Sequence, residues 1–241
     1  TVTISGKTGT YYVVVEACDS LGNCKTGVSN PFYMDNSAPT ITFGTNGNTT
    51  YAKSHSTTVS VNANTGEINS IKYVVSTNKG DTPTTTITNG STVTLKDLDG
   101  TYYVITEVCD IAGNCTSEVS QEFNLDNDAP IIRFTPNGNS AYQQSHSTII
   151  SVTDAYDEVE TIEYIISKDK TATPNINLEN NETVTIDNVT GTYYVVVKAC
   201  DKAGNCQTTA SNAFNVDNSA PTITYDPAGS STYKKSHNVR I

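Results

Sequence analysis

The 241-residue sequence predicts an all-β protein built from tandem β-sandwich domains, each with about seven strands. Three observations lead to this prediction. Short segments rich in Val, Ile, Thr and Tyr alternate in polarity and are separated by Gly, Asn, Asp and Pro, as strands and turns are. No segment shows a 3.6-residue hydrophobic period over ten residues. One long strand-like pattern also recurs at an interval the size of a domain.

The recurring pattern is the clearest feature of the chain. It reads YYVITEVCDIAGNC from Tyr102 onward, and close copies begin at Tyr11 and Tyr193. The step is 91 residues, both from Tyr11 to Tyr102 and from Tyr102 to Tyr193. Solenoid repeats are only about 20–50 residues long, so each copy should be a domain with its own core.

The repeat continues over the whole sequence without insertions, and a D-N-x-A-P motif follows each copy of the strand pattern. The chain would then be a section of a longer repetitive protein. The expected pieces are the C-terminal part of a repeat at residues 1–37, complete repeats at 38–128 and 129–219, and the N-terminal part of a further repeat at 220–241.

The complete repeat at residues 38–128 carries the strand signals on which the fold class depends. Alternating, β-branched segments predict strands, and Gly, Asn and Asp mark the turns between them. A weak edge strand is expected within the polar residues 77–90. The other predicted strands are residues 40–43, 56–62, 68–76, 91–95, 102–109 and 116–125. This number of short strands in about 90 residues is typical of a β-sandwich.

The formal charge of −11 restricts the classes of partner. Nucleic acid and anionic membrane both favour Lys and Arg, so neither is expected to bind. No stretch approaches the roughly 18 apolar residues of a membrane span, so no membrane insertion is expected within this segment. The charge is compatible with cation binding, although solvated surface carboxylates also explain it.

The six cysteines form three pairs with C-x5-C spacing. In the cytosol such pairs indicate metal or redox chemistry, whereas in an oxidising compartment they indicate disulfides. Zinc needs four ligands, and each repeat offers two thiols with no nearby histidine, so disulfides are favoured. The predicted pairs are Cys18–Cys24, Cys109–Cys115 and Cys200–Cys206.

The three histidines, His55, His146 and His237, occupy one position of the repeat. They could be metal ligands or pH sensors. The favoured interpretation is a hydrogen-bonded histidine at the start of the second strand, where it could also touch the next repeat. A Ser-His-Asp or Cys-His set would need chance partners in every copy, and disulfide cysteines cannot be nucleophiles. The chain is therefore predicted not to be an enzyme.

The pattern G-T-Y-Y-V-x-x-x-x-C-D-x-x-G-N-C followed by F-x-x-D-N-x-A-P resembles the Ig-like repeats of large bacterial surface proteins and adhesins. The resemblance covers the whole chain. It implies Ig-like β-sandwiches whose first partners are neighbouring repeats of the same chain. It also implies an extracellular, cell-surface protein, secreted or anchored to the cell wall. The paired cysteines are an addition to the family pattern, and the antibody-type Cys…Trp…Cys core is absent.

The Gly-x-Tyr placement resembles the tyrosine corner of Ig-type sandwiches, in which the ring is buried and the hydroxyl bonds nearby backbone. The residues expected in this role are Tyr11, Tyr102 and Tyr193.

The resemblance also makes calcium a candidate ligand, although no cofactor is certain. In an Ig-like unit the last hairpin lies at the end where the preceding linker enters, so oxygen ligands would gather there, and Ca²⁺ takes about 6–8 of them. The alternative is that these Asx side chains hydrogen-bond their own turns. The candidate ligands are Asp35, Asp110, Asn114, Asp126, Asp201 and Asn205.

Two functions remain open from the sequence. The favoured one is a non-catalytic stalk or fibre segment, stiffened by one hairpin disulfide per domain, because the repeats have nearly identical spacing. The alternative is an adhesin module that recognises a host glycan or host protein, including a calcium-dependent one.

Overall fold

The computed structural model describes residues 1–226, 228–233, 235–236 and 238–240. It divides into two compact units. The first unit is Thr1–Asp128 with the loops Ala155–Glu158 and Lys202–Asn205, and the second is Ala129–Asp154, Val159–Asp201 and Cys206–Ile241. Every regular element in the described residues is a strand, which confirms the all-β prediction. Within those residues no helix is long and apolar enough to cross a membrane.

The first unit contains thirteen strands. Two small antiparallel pairs, β1 with β4 and β2 with β3, come from the N-terminal 37 residues. The strands are β1 (Gly9–Tyr11), β2 (Val14–Cys18), β3 (Cys24–Val28), β4 (Phe32–Met34), β5 (Thr40–Phe43), β6 (Asn48–Ala52), β7 (Ser54–Asn62), β8 (Ile68–Ser76), β9 (Thr85–Thr86), β10 (Ser91–Lys96), β11 (Gly100–Asp110), β12 (Cys115–Val119) and β13 (Phe123–Leu125).

Strands β5 to β13 form two sheets. One has the order β10-β7-β5, and the other has the order β6-β13-β11-β8-β9, with β12 also paired to β11. Alternate residues of both sheets point into a shared core, where Val59, Val93 and Leu95 from the first sheet meet Val104 and Phe123 from the second. Burial of these apolar side chains is the main driving force for the sandwich.

The second unit repeats this arrangement. One sheet has the order β14-β16-β19, and the other has the order β15-β22-β20-β17-β18, with β21 paired to β20. Its core includes Ile150, Val184, Ile186, Val195 and Phe214, all at most 2% exposed. The strands are β14 (Ile131–Thr135), β15 (Asn139–Gln143), β16 (Ser145–Thr153), β17 (Val159–Ser167), β18 (Ile176–Asn177), β19 (Thr183–Asp187), β20 (Gly191–Asp201), β21 (Cys206–Ala210) and β22 (Phe214–Val216).

Each complete repeat therefore has nine strand segments where about seven were expected. One reason is that the predicted last strand, residues 116–125, is divided into β12 and β13. Ser120 lies between them, and its hydroxyl accepts a hydrogen bond from the Val104 amide at 2.9 Å. A side chain thus replaces a backbone partner at this point, as it does where Ser211 accepts from the Val195 amide at 3.0 Å.

The other reason is strand β6, which the sequence did not predict because residues 44–48 read as a turn. Strand β6 instead pairs in parallel with β13, with Asn48 opposite Phe123 and Ala52 opposite Leu125. The expected weak edge strand is present as β9, which pairs with β8. Among the described residues of 220–241, the only pairing is a single bridge between Asp226 and Arg240.

Candidate functional site: hairpin tips and linkers

The candidate site is made of two kinds of segment. The hairpin tips are residues 19–23, 110–114 and 201–205, which connect the last long strand of each repeat to the strand that returns from it. The linkers are the D-N-x-A-P segments at residues 35–39, 126–130 and 217–221. These segments contain every residue proposed from the sequence as a calcium ligand.

Each hairpin tip is closed by a disulfide. In the pair β11–β12, Cys109 lies opposite Cys115, and their sulfurs are 2.04 Å apart. The same bond joins Cys18 to Cys24 and Cys200 to Cys206. These are the pairs expected from the spacing, and they close a ring around each five-residue tip.

Inside the ring, an aspartate holds the turn. Asp110 accepts a hydrogen bond from the Asn114 amide to Oδ1 and another from Asn114 Nδ2 to Oδ2, both 2.9 Å long. Asp19 and Asn23 make the same two bonds at 2.9 Å. Donation from the Asn114 side chain lowers the pKa of Asp110 below its ordinary value of 3.8 despite burial, and Asn23 lowers the pKa of Asp19 in the same way.

The glycine of the D-x-x-G-N motif has a conformational role. Gly113 has a φ of 91°, in the left-handed region that side-chain-bearing residues avoid. Its amide donates to the Asp110 carbonyl at 3.2 Å, and the Asp110 amide donates to the Asn114 carbonyl at 3.0 Å. The motif therefore forms a turn from its own residues: Asp accepts the hydrogen bonds, Gly adopts the positive φ, and Asn donates.

The tip asparagine also binds the linker. Asn114 Nδ2 donates to the Asp35 carbonyl at 3.2 Å, and Asn205 Nδ2 donates to the Asp126 carbonyl at 3.0 Å. Both bonds join residues 79 apart in sequence. The sequence-based expectation that Asn114 lies near Asp35, and Asn205 near Asp126, describes the observed placement, with the amides donating to backbone rather than to the carboxylates.

The linkers also make hydrogen bonds of their own to the repeat that precedes them in the chain. Asn127 Nδ2 donates to the Leu98 carbonyl at 2.8 Å, and Asn218 Nδ2 donates to the Val189 carbonyl at the same distance. The linker aspartate folds its own segment, since Asp126 Oδ1 accepts from the Asp128 amide at 3.0 Å. Each linker is thus bound to the turn that precedes the last long strand of its own repeat.

Most of the candidate metal ligands are buried. Asp110, Asp126 and Asp201 are at most 1% exposed, and Asn205 is also buried. In the second unit, carboxylate oxygens of Asp154 and Asp201 lie within 4.8 Å of one another.

The corresponding carboxylate is missing from the preceding repeat, where Ala63 stands 91 residues before Asp154. Asp35 is half-buried, and its Oδ2 has no hydrogen-bond partner among the described residues. The linkers differ as well, since Ser37 stands where the next copy has Asp128, so the later copy of the candidate site is richer in carboxylates.

The tyrosine-corner residues are partly buried. Tyr11 donates its hydroxyl to the Thr8 carbonyl at 3.3 Å, a bond to nearby backbone of the expected kind. Tyr102 and Tyr193 pack against the cores of their sandwiches. The Lys168 ammonium lies 5.1 Å from the centre of the Tyr193 ring, which is a cation–π distance.

The histidines bind within their own repeats. His55 Nε2 lies 3.0 Å from both the Thr50 and the Asn124 carbonyl oxygens. His146 Nε2 is placed in the same way by two carbonyl oxygens, and its ring is buried. The prediction of a hydrogen-bonded histidine therefore describes His55 and His146, although their partners belong to the same repeat and not the next. His237 lies outside the described residues.

Two asparagines that the sequence did not single out also hold their repeats together. Asn124 and its repeat partner Asn215 link the first and last parts of their repeats through side-chain hydrogen bonds. Their shared position was visible as an N in the F-N-x-D-N segment, but the first copy has Tyr33 there, which hid the pattern.

Two facing sheets, closed at one end by the D-x-x-G-N hairpin and joined in tandem, define an Ig-like β-sandwich protein. The chain belongs to the bacterial Ig-like domain family, whose model matches residues 40–127 and 141–218. Family membership and the hairpin disulfides support a role in a bacterial surface protein and fit an extracellular location. Domains of this fold are generally non-catalytic.

Several solved structures are similar to the chain. Fibronectin(III)-like modules of Clostridium thermocellum CbhA are 14% identical, over 74% of this chain and 93% of that one, with a TM-score of 0.31. The FN1–FN3 domains of chicken CNTN1 are 13% identical, over 83% and 77%, with a TM-score of 0.27. The sialic acid binding region of a Streptococcus sanguinis SK1 adhesin is 12% identical, over 76% and 78%, with a TM-score of 0.24. No curated protein matches the chain.

Proposed function

We propose that this chain is a non-catalytic stalk or fibre segment of a repetitive bacterial surface protein. The observation that carries the proposal is the repeated hydrogen bond from a hairpin tip to a linker, Asn114 to Asp35 and Asn205 to Asp126. A linker left free would act as a flexible hinge, whereas one bonded through its backbone loses that freedom.

The disulfide and the turn strengthen this attachment. The linker-binding asparagine lies within the ring closed by Cys109 and Cys115, and its amide also holds Asp110. The tip is therefore fixed before it meets the linker, so fewer degrees of freedom are lost when the bond forms. The repeated use of one attachment at a fixed spacing suits a structural role, in which every copy has the same task.

The competing function is recognition of a host glycan or protein. The decisive experiment is binding of the full chain to arrays of host glycans and of extracellular matrix proteins, at concentrations up to the high micromolar range. The stalk function predicts signals no greater than those of an unrelated β-sandwich of similar charge. A saturable signal, confirmed in solution by calorimetry, would overturn the stalk function in favour of the adhesin alternative.

Calcium at the hairpin tip is a second candidate function, favoured by the separation of at most 4.8 Å between Asp154 and Asp201 carboxylate oxygens. A single Ca²⁺ ion with oxygen distances of about 2.3–2.6 Å can bridge two such groups. Bound calcium would neutralise the two carboxylates and hold the loop that carries Asp154 against the tip.

The test is calorimetric titration of the full chain with calcium. The wild-type chain should bind calcium and gain thermal stability, and Asp154→Ala, which copies the Ala63 of the preceding repeat, should remove both effects. An Asp81→Ala variant, which changes an exposed carboxylate elsewhere, should bind as the wild type does. A wild-type chain that gives neither heat nor a change in melting temperature rules out this candidate.

A further inference from the structure

The first unit contains a cleft of about 480 Å³, a size typical of small-molecule sites. It lies where the strand pair β1–β4, the loop between β7 and β8, and the tip of the β11–β12 hairpin meet. Two of its apolar side chains are largely uncovered, since Tyr33 is 81% exposed and Ile111 is 66% exposed. Exposed apolar groups that share a concave surface indicate a binding site, whereas single ones do not.

The walls of the cleft are held in place by the backbone. Gly9 of β1 lies opposite Met34 of β4 in an antiparallel pair, and both residues line the cleft. On the facing side, the Ile111 amide donates to the Glu67 carbonyl at 3.0 Å, which holds the hairpin tip against the loop. A cleft that is already formed loses less conformational entropy when a ligand enters it.

A carboxylate oxygen at the cleft offers an acceptor. Asp35 Oδ1 accepts from the Ser37 amide at 2.9 Å, which fixes the orientation of the carboxylate. Its Oδ2 is buried without a hydrogen-bond partner in the described part of the chain, and it lies 3.2 Å from the place where a Cβ on Gly66 would stand. Buried polar atoms are nearly always hydrogen-bonded, so an incoming donor would satisfy this oxygen. The cleft therefore favours a ligand with an apolar ring and a donor group.

The corresponding place 91 residues later shows which ring fits. Gly100 is the counterpart of Gly9, and Tyr156 is the counterpart of Thr65. A Cβ placed on Gly100 would lie 3.8 Å from Tyr156 Cε1, so a tyrosine ring occupies the space beside this glycine. At Gly9, no atom of the loop that carries Thr65 comes within 4 Å of the same position, among the residues that the structure describes. The space that Tyr156 fills in one copy is therefore open in the other.

The two copies also differ in the wall of the cleft. Ile111 corresponds to Lys202, and the Lys202 ammonium pairs with the Glu158 carboxylate. An apolar wall beside an open space is thus a property of the first copy, whereas the later copy has an ion pair and a ring of its own.

We propose that the cleft in the first unit is a binding site for a phenol ring, the group that a tyrosine side chain carries. The ring contacts Met34 and Ile111, and its hydroxyl donates to Asp35 Oδ2. It takes the place that Tyr156 occupies in the later copy. The inference goes beyond the stalk function and does not depend on it.

The single methionine of the chain provides a reporter at the site. Because Met34 lines the cleft, methyl-labelled methionine gives one NMR signal that a bound ring must shift. The experiment titrates the full chain with p-cresol, which is a free tyrosine ring, and the expected result is a saturable shift. A signal that does not move, or that moves without saturation up to high millimolar concentrations, would overturn the site.

Thr65→Tyr copies the later repeat and should fill the cleft with a ring of the chain itself. The Met34 signal should then be shifted without ligand, and p-cresol should bind about tenfold more weakly or worse, as it must compete with a ring at high effective concentration. The matched control is Thr82→Tyr, which adds the same ring to an exposed loop residue outside the cleft and should bind as the wild type does. Wild-type affinity in Thr65→Tyr would contradict the placement of the ring.

The role of Asp35 is tested on the wild type, so the result does not depend on the folding of a variant. The methyl ether of p-cresol has the same ring and no donor. The wild type should bind p-cresol about tenfold more tightly or better, as a hydrogen bond to a charged group implies. Asp35→Asn keeps the acceptor for the Ser37 amide and should lose most of this preference. Equal binding of the two compounds by the wild type would overturn the role of Asp35.

A tyrosine side chain and a free phenolic compound share this chemistry, and a short peptide with a central tyrosine distinguishes them. The cleft is open to solvent on the side of Tyr33, so we expect the peptide to shift the Met34 signal with at least the affinity of p-cresol. That result identifies a protein as the source of the ring. Binding of p-cresol with exclusion of the peptide assigns the site to free phenolic compounds instead.

Discussion

Asn114 serves two partners at the tip of the β11–β12 hairpin. Its side-chain amide donates to Asp110 Oδ2 at 2.9 Å and to the Asp35 carbonyl at 3.2 Å. An asparagine amide has two donor hydrogens, so one residue can close its own turn and hold a linker at once. This double use explains why the D-x-x-G-N motif ends in Asn and not in Asp, which has no donor when it is ionised.

We expect Asn114→Ala to raise the pKa of Asp110 toward its ordinary value of 3.8, because donation from the Asn114 side chain is the largest cause of the lowered value. In the wild type, the ionised carboxylate stabilises the fold above pH 3.8, and this contribution is lost as the pH falls through the lowered pKa. The variant should therefore lose less stability on acidification. Carbon NMR titration of the carboxyl groups, with denaturant unfolding at several pH values, measures both effects.

The control for this prediction is Asn78→Ala. Asn78 Nδ2 also donates to a carboxylate, Asp81 Oδ1, at 2.9 Å, but in an exposed loop away from the tip. It should leave the Asp110 titration unchanged. An Asp110 pKa that is the same in the wild type and in Asn114→Ala would contradict the assigned cause.

At the scale of elements, the hairpin β11–β12 is held by three kinds of constraint. It combines five opposed residue pairs, a disulfide and a self-contained turn. Because Cys109 and Cys115 are only six residues apart, the disulfide closes a small ring and removes a limited amount of entropy from the unfolded chain.

Replacing Cys109 and Cys115 by Ala should lower the free energy of unfolding of that repeat by about 2–3 kcal/mol, by the loop-entropy relation. The measurement is denaturant unfolding of the full chain under non-reducing conditions, followed by the same measurement with a reductant. The variant should respond less to the reductant than the wild type, since one of its three disulfides is gone. A variant as stable as the wild type would show that the disulfide adds nothing to the hairpin.

The entry into β6 is another constrained element. Gly47 has a φ of 88°, and a Cβ placed there would lie 2.5 Å from Gln121 Cβ and 2.8 Å from the Glu122 carbonyl oxygen. The chain that leads into β6 therefore passes directly against the segment that leads into β13. No side chain fits between these two segments.

We expect Gly47→Ala to be more destabilising than Gly90→Ala, although both glycines have positive φ. Gly90 has a φ of 80° and open space around its Cβ position, so its substitution costs only the conformational strain, about 1–2 kcal/mol. Gly47→Ala adds a steric cost of about 1–3 kcal/mol. Thermal unfolding of the two variants side by side gives the comparison, and equal melting temperatures would contradict the close approach.

The same elements show what a sequence can and cannot predict. Strands such as β8 and β11 were predicted because each is a long run rich in β-branched and aromatic residues. The hairpin disulfides followed from spacing, and the repeat from simple comparison. Local patterns of this kind are strong because they depend on residues that are close in sequence.

Strand β6 was not predicted, because Asn48-Thr-Thr-Tyr-Ala has no apolar alternation and follows turn residues. Its partner β13 lies more than seventy residues away, and such pairing leaves no local signal. For the same reason nothing local in the sequence indicates that His55 Nε2 of β7 lies 3.0 Å from the Asn124 carbonyl oxygen of β13. The closeness of the Asp154 and Asp201 carboxylates depends on the conformation of the loop that follows β16, which no local sequence pattern specifies.

At the scale of the whole molecule, the two complete repeats are near-copies in their hydrogen bonding. The side-chain hydrogen bonds of the last strand, the tip turns and the linker attachments recur at the 91-residue spacing, as Asn124 and Asn215 show. Differences occur at the tip and beside it: Ile111 of one tip corresponds to Lys202 of the next, which pairs with Glu158, and Ala63 corresponds to Asp154. Such uniformity suits a protein whose repeats share one mechanical task.

A stalk segment must carry tension, and constant-velocity stretching of the full wild-type chain from its two ends measures whether this chain does. The stalk function predicts two unfolding events of equal length, one for each complete repeat, each at a well-resolved force. Both events should lengthen equally under reducing conditions, as each tip ring opens. Extension without resolved unfolding events, or events of unequal length, would rule out the stalk function.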